Sequence, residues 1–209
     1  MGLSLAELVA GLPELSVAGD AGGEIRSVTA DSRFAGPGVL FIAVKGTVAD
    51  GHDFIAQAVA AGSPGVVVTK GGPAELPTAA GSDSPAVVTA DRTRPLPAIL
   101  ARRLAGEPDR QLLTVGVTGT NGKTTVAFLL QGMLGRLAGP CGLLGTIRYD
   151  DGRNREAAPL TTPSGPVLYD WLQRMVGQGC RAVAMEISSH ALEQERVAGL
   201  QLDAAVMTN

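Results

Sequence analysis

The apolar positions of this chain fall into short blocks that alternate between strand-like runs and helix-like spacing. Residues 112–117 form an apolar, β-branched run, with Leu112, Leu113, Thr114, Val115 and Val117 around Gly116. Such a run predicts a buried strand. Then the rhythm changes. Val126, Leu129, Leu130, Met133, Leu134 and Leu137 recur three and four residues apart, which predicts a helix with one apolar face. Between the blocks stand Gly116, Gly119 and Gly122, followed by Lys123, Thr124 and Thr125. Strand, glycine-rich turn and a helix opening on Lys-Thr predict a phosphate-binding loop. Glycines let backbone amides wrap a polyphosphate at a helix N-terminus. Lys123 neutralises phosphate charge, and the Thr124 hydroxyl is a ligand for Mg²⁺. The strict spacing wants glycine at 117, where this chain has Val117; Gly116 comes one residue early.

The same reading extends along the chain. Ser4 and Glu7 have capping-box spacing ahead of a short apolar helix that Pro13 ends. Residues 25–29 and 39–44 read as strands, with Asp31, Ser32, Arg33 and a Gly36-Pro37-Gly38 turn between them. Residues 46–51 read as a loop, 53–61 as a helix, 65–69 and 86–89 as strands, and 70–84 as a Gly/Pro/Ser-rich loop. A helix over 96–104 leads to a linker at 106–110. Beyond the phosphate loop, strands are predicted at 141–147, 181–187 and 202–208. A polar turn is expected at 150–156, a helix from Pro166 to about 176, and a polar crossover over 188–197. Strands alternating with helices predict an α/β fold with parallel sheets, which bind ligands at the carboxyl ends of their strands. Gly119, Thr146, Glu186 and Asn209 all fall at or near such ends. The expected organisation is a small α/β domain over 1–108 and a parallel-sheet ATP-binding domain, present in part, over 109–209.

Composition narrows the function classes. Of 209 residues, 45% are hydrophobic and only 3% aromatic, so Ala, Val and Leu must build the core. A net charge of −3 with no basic run argues against a nucleic-acid surface. Cys141 and Cys180 lack metal-ligand spacing and read as buried thiols in a reducing cytoplasm. Neither a signal peptide nor a membrane span is predicted.

Glu186 ends an apolar strand beside the loop, where a carboxylate serves Mg²⁺ or a structural salt bridge. His190 follows Ser188 and Ser189, which alone reads as a helix cap; Gln194 and Arg196 are polar neighbours, Arg196 also readable as a solvated helix charge. Thr161 and Thr162 either start a helix or offer hydroxyls near a transferred phosphate. His52, between Gly51 and Asp53, reads as a turn histidine with satisfied hydrogen bonds.

Taken together, these motifs resemble the Mur ligases. Gly116-Val117-Thr118-Gly119-Thr120-Asn121-Gly122-Lys123-Thr124-Thr125 resembles their ATP loop, shifted glycine included. Asp31-Ser32-Arg33, residues 40–46 and Asp50-Gly51-His52-Asp53-Phe54 resemble the uridine-nucleotide domain of the ligases that add the third and later stem-peptide residues. Thr161-Thr162-Pro163 and Met185-Glu186-Ile187-Ser188-Ser189-His190-Ala191-Leu192 resemble the branch that adds a diamino acid.

The resemblance implies that Gly119, Thr120, Asn121, Gly122, Lys123, Thr124 and Thr125 bind ATP, with Lys123, Thr124 and Glu186 catalytic and Thr124 and Glu186 serving Mg²⁺. It implies that Ala30, Ser32, Thr47, Val48, Ala49, Thr161, Thr162, Ser188, Gln194 and Arg196 bind a UDP-N-acetylmuramoyl-dipeptide. Leu160 stands where the family often carries Asn, Ala30 where Leu is common, and Ser164 where an acid is often seen. The family continues past Asn209 into a His-containing metal motif, a carbamylated lysine and a C-terminal domain. The expectation is therefore an ATP-dependent cytoplasmic ligase of cell-wall precursor synthesis whose 209 residues alone do not form the amide. The alternatives are another ligase of the superfamily, such as the terminal-dipeptide or folylpolyglutamate enzyme, or a non-catalytic nucleotide-binding module.

Overall fold

Ser4 opens the first helix as its spacing predicts. Its hydroxyl accepts the Glu7 amide at 3.2 Å, and the Glu7 carboxylate accepts the Ser4 amide at 2.8 Å. In a computed structural model, residues 2–12, 14–46, 49–72 and 84–209 are described. The expected roles of Pro13, Thr47 and Val48 and most of the 70–84 loop lie outside them. The chain divides into two compact units, residues 1–104 and 105–209.

In the first unit, β1 (Leu3–Ser4) leads into α1 (Leu5–Val9), followed by β2 (Leu15–Ala18), β3 (Glu24–Ile25), β4 (Ser27–Thr29) and β5 (Val39–Ile42). Next come α2 (Ile55–Ala60), β6 (Gly65–Thr69), β7 (Ala86–Ala90) and α3 (Leu96–Leu104). The single strand expected at 25–29 is broken at Arg26 because its two ends have different partners. Ile25 pairs with Leu3, and Ser27 pairs with Val39. The five-stranded sheet runs β2-β7-β6-β5-β4, with β4 to β7 parallel and β2 antiparallel at the edge. Phe41, Val66 and Val68 of this sheet pack with Ile55, Ala58 and Val59 of α2. Arg103 of α3 donates to the Leu8 and Ala10 carbonyls at 2.9 and 2.6 Å, satisfying acceptors that the end of α1 leaves open.

The second unit contains β8 (Leu113–Thr118), α4 (Lys123–Leu137), β9 (Cys141–Leu144), β10 (Arg148–Asp150) and β11 (Arg155–Ala157). It continues with α5 (Gly165–Gly177), β12 (Ala182–Glu186), α6 (Ser189–Glu193) and β13 (Ala204–Met207). The sheet order is β11-β10-β9-β12-β8-β13. β9, β12, β8 and β13 are parallel, and β10 and β11 add an antiparallel hairpin. Tyr149 and Trp171 meet edge to face with ring centroids 5.5 Å apart.

Three expectations change. The strand predicted over 141–147 stops at Leu144, because the chain turns back at Gly145, whose amide donates to the Arg148 carbonyl at 3.2 Å. The polar turn at 150–156 is instead a hairpin containing two buried aspartates. Asp150 accepts from Arg155 and Gln131, and Asp151 from Arg174 and Asn154, so their charges sit inside because they are paired. The linker at 106–110 belongs to the second unit, where buried Asp109 accepts the Gln201 amide at 2.9 Å.

The apolar face of α4 also differs from its prediction. Ala127 packs with Val117, Leu143 and Ala184, flanked by Val126, Phe128 and Leu130. Leu129, Met133 and Leu137 face away and are 61%, 58% and 81% exposed. Spacings of three and four residues fit two neighbouring stripes on a helix, and the sheet covers only one of them.

Both cysteines are free and buried. Burial pushes the Cys141 thiol up to about 12 and the Cys180 thiol above its ordinary value. Only the thiolate reacts, so neither thiol should react with Ellman's reagent at pH 8. Unfolding in guanidinium should release both. Rapid titration of either thiol in the native protein would contradict the packing described.

Candidate functional site

Parallel register lines up the tips of four strands. Glu186 of β12 lies opposite Val117 of β8, Met185 opposite Leu144 of β9, and Met207 of β13 opposite Thr118. At these pairs or within two residues beyond them the chain supplies Thr146, Glu186, Gly119, Thr208 and Asn209 along one edge.

The glycine loop is shaped by backbone that side chains disfavour. Gly119 has φ +131° and Gly122, the residue capping α4, has φ +82°. At Gly119 a Cβ would lie 2.1 Å from the Thr208 hydroxyl and 3.0 Å from Asn209 Oδ1. The loop is fastened from β13. Asn209 Oδ1 accepts the Thr120 and Asn121 amides at 2.9 and 3.1 Å, and the Thr208 hydroxyl donates to the Asn121 carbonyl at 2.5 Å. Lys123 Nζ folds back on the loop, donating to the Gly119 and Thr120 carbonyls at 2.7 and 3.2 Å. As the first helical residues, Lys123, Thr124 and Thr125 have amides without intrahelical acceptors.

Glu186 is 1% exposed, and both oxygens of its carboxylate are hydrogen-bonded. Oε2 accepts from the Thr124 hydroxyl at 3.0 Å and the Thr146 hydroxyl at 3.1 Å, and Oε1 accepts the Thr146 amide at 2.9 Å. A Cβ at Gly145 would lie 2.4 Å from Oε1, so the turn after β9 must come in without a side chain. The Thr124 hydroxyl and Glu186 carboxylate are hard oxygen donors, the set that suits Mg²⁺.

From Thr146 the contacts continue through the remaining expected residues of this unit. The Thr146 and Thr161 hydroxyls are 3.1 Å apart. Thr162 is 1% exposed; its hydroxyl donates to the Glu186 carbonyl at 2.8 Å and accepts the Ser188 amide at 3.0 Å. It is therefore a strut, and Thr161 is the threonine with the less committed hydroxyl. Ser188 caps α6, its hydroxyl accepting the Ala191 amide at 3.2 Å. Arg196 is not a solvated charge: it donates to the Thr162 carbonyl at 3.0 Å and grips Gln194 Oε1 at 2.9 and 2.6 Å.

In the first unit, Ala30 and Ala49 are exposed. The Ser32 hydroxyl donates to Gln57 Oε1 at 2.8 Å. Asp31 caps the turn that carries Ser32 by accepting the Arg33 amide at 3.0 Å. The Arg33 guanidinium against it holds the Asp31 carboxyl below the usual range.

Both units have relatives. Residues 24–105 match the family described as "Mur ligase family, catalytic domain", and residues 117–209 match "Mur ligase middle domain". The chain belongs to the Mur ligase family. It is similar to the UDP-N-acetylmuramoyl-L-alanyl-D-glutamate–2,6-diaminopimelate ligase of Pseudomonas putida, at 45% identity over 185 residues. That match covers 88% of this chain and 36% of the Pseudomonas protein. The ligase of the same name from Chlorobaculum tepidum is 43% identical over 211 residues, covering 100% of this chain and 40% of the relative. The chain thus spans about two fifths of the length of the curated relatives it matches. A solved structure of a ligase of that name superposes with a TM-score of 0.77 at 24% identity, covering 100% of this chain and 40% of the other. MurF from Acinetobacter baumannii gives 0.65 at 22%, covering 100% and 41%. These two likenesses concern the Mur ligase fold alone.

Thr146, Thr208 and Asn209 had no role assigned from sequence. Their signal was position: each lies at or near the end of a predicted strand, Thr146 within 141–147, Thr208 closing 202–208 and Asn209 just after it, but only register shows which strand lies beside which.

Proposed function

We propose that this chain is the uridine-nucleotide and ATP-binding part of an ATP-dependent amide ligase of peptidoglycan precursor synthesis. Its substrates are UDP-N-acetylmuramoyl-L-alanyl-D-glutamate and a diamino acid, the class to which the 2,6-diaminopimelate named for its relatives belongs. The observation that carries this is the hydrogen-bonded row Thr124–Glu186–Thr146–Thr161 beside Lys123. It supports a site for a nucleotide triphosphate at one end and an acceptor carboxylate at the other.

A side-chain carboxylate oxygen of the D-glutamate takes the γ-phosphoryl group of ATP, and the bond to the β-phosphate breaks to release ADP. The acyl phosphate gives that carboxylate a leaving group, and the amine of the diamino acid displaces phosphate to form the amide. The amides at the start of α4 face the phosphates. Lys123 exchanges the Gly119 and Thr120 carbonyls for phosphate oxygens and stabilises charge in transfer. Thr124 and Glu186 would hold Mg²⁺, which would neutralise phosphate charge when bound. Thr161, Ser188, Gln194 and Arg196 contact the muramoyl peptide, with Thr162 holding them to the β12 tip. Ala30, Ser32, Thr47, Val48 and Ala49 serve the uridine nucleotide.

Calorimetric titration tests the reading. Wild type should bind ATP more tightly with Mg²⁺ than with EDTA. Glu186→Gln should lose about 1.5–3 kcal/mol of that difference, the scale of a hydrogen bond to a charged group. Equal ATP affinity with and without Mg²⁺ in wild type would remove the metal site from the proposal. Binding of a folate in place of the UDP-muramoyl dipeptide would move the chain to another branch.

A further inference from the structure

The turn that carries Ala49 is closed at its base by backbone contacts. Lys45 and Asp50 form an isolated antiparallel bridge, Gly46 N–H donates to the Ala49 carbonyl at 2.9 Å, and Gly51 N–H donates to the Val44 carbonyl at 3.0 Å. The two strands of backbone approach so closely that a Cβ on Gly51 would lie 2.5 Å from the Val44 nitrogen. One side chain adds a tie from the base of this turn to the end of a neighbouring strand.

His52 makes that connection. Its Nε2 accepts the Thr69 amide at 3.2 Å, at the end of β6, and lies 2.9 Å from the Thr69 hydroxyl. An amide hydrogen pointing at Nε2 makes that nitrogen an acceptor, so in the neutral ring the proton is on Nδ1. Nδ1 lies 2.6 Å from Asp50 Oδ1, which also accepts the His52 amide at 3.0 Å. The ring is thus a rigid strut from the tip of β6 to the base of the turn, with both nitrogens engaged and a side chain only 15% exposed. Arg94 braces the other side by donating to the Lys45 carbonyl at 2.9 Å. A nitrogen filled by an amide hydrogen is open neither to a metal nor to a proton in transit.

We infer that His52 is a positioning residue for the uridine nucleotide, tying the base of the Lys45–Asp50 turn to the end of β6 through Asp50 and Thr69. This rests on the proposed nucleotide role of Ala49 and its neighbours. The role needs a donor and an acceptor on opposite sides of one stiff group. Asparagine at 52 can keep the donor to Asp50 but does not reach Thr69. Phenylalanine keeps the volume and neither bond.

The test compares the 209-residue wild type with His52→Ala, His52→Asn and His52→Phe. Amide hydrogen exchange followed by NMR reads the latch without any ligand. Exchange at Gly46 and Gly51 should accelerate by about tenfold or more in His52→Ala and His52→Phe, and less in His52→Asn. Exchange at Val66 and Val67, in the middle of β6, should stay as in wild type. Calorimetry reads the consequence. Affinity for UDP-N-acetylmuramoyl-L-alanyl-D-glutamate should fall about tenfold or more in His52→Ala, with ATP affinity changed by less than about twofold. Unchanged exchange at Gly46 and Gly51 overturns the latch. A parallel loss of ATP affinity or of protection in β6 also overturns it, since His52 would then be a general stability residue. Faster exchange in the variants of a wild type that binds no UDP nucleotide would uphold the latch and overturn the nucleotide reading beneath it.

Discussion

Lys123→Ala lowers ATP affinity by about tenfold to a hundredfold while leaving the melting temperature nearly unchanged. A charge-assisted hydrogen bond contributes about 1.5–3 kcal/mol, and each 1.4 kcal/mol is about tenfold in affinity. The lower part of the range is favoured by what Lys123 does before ligand arrives. Its ammonium already holds two loop carbonyls at 2.7 and 3.2 Å, and phosphate must replace those partners. Of the carbonyls left behind in the variant, that of Thr120 is exposed and that of Gly119 half-buried, and both can rehydrate, so folding loses little, within about 0.5 kcal/mol. Calorimetry with ATP and a thermal melt of the same sample check both halves. Undiminished ATP affinity in the variant would leave the glycine loop without a phosphate-binding role.

Gly119→Ala has the opposite profile and strikes the fold. A Cβ at φ +131° costs about 1–3 kcal/mol in backbone strain. It also drives into the Thr208 hydroxyl, 2.1 Å away, breaking the bonds by which β13 fastens the loop. Losing such a bond adds about 1 kcal/mol. For a unit of about 100 residues, each kcal/mol moves the midpoint by about 4–8 °C, so a fall of about 10 °C or more is expected. Gly135→Ala is the control. It lies within α4 and nothing stands within 4 Å of its Cβ position, so it should be neutral or stabilising by about 0.5–1 kcal/mol. Equal melting temperatures for Gly119→Ala and wild type would refute the described packing of Thr208 on the loop.

What the sequence disclosed follows from how local each signal is. β6 and α3 are found where the apolar spacing predicts, over 65–69 and 96–104, because both are set by residues adjacent along the chain. The glycine loop is legible for the same reason: its glycines, Lys123 and Thr124 lie within ten positions of one another. The β10–β11 hairpin was hidden because Asp150 and Asp151 have the composition of a solvent-facing turn. Asn154 and Arg155 pair with them from within the hairpin, but Gln131 and Arg174 reach them only through tertiary contact. The exposed side of α4 was misassigned because periodicity says which residues align, not which aligned row meets the sheet. The loop's fastening was invisible for a third reason: Asn209 and Thr120 are 89 positions apart and meet only because β13 pairs with β8.

That pairing makes the sheet a ruler. Adjacent strands sit about 4.8 Å apart, so the four parallel tips from β9 to β13 mark off about 14 Å at fixed intervals. The interval is set by main-chain hydrogen bonds within the sheet, not by any group that meets a ligand. A one-residue slip of β12 against β8 would carry Glu186 out of line with Thr124 without altering a letter of the glycine loop. Intact motifs would then survive in a protein whose graduations no longer agree, and a search for altered function confined to the motifs would miss the cause.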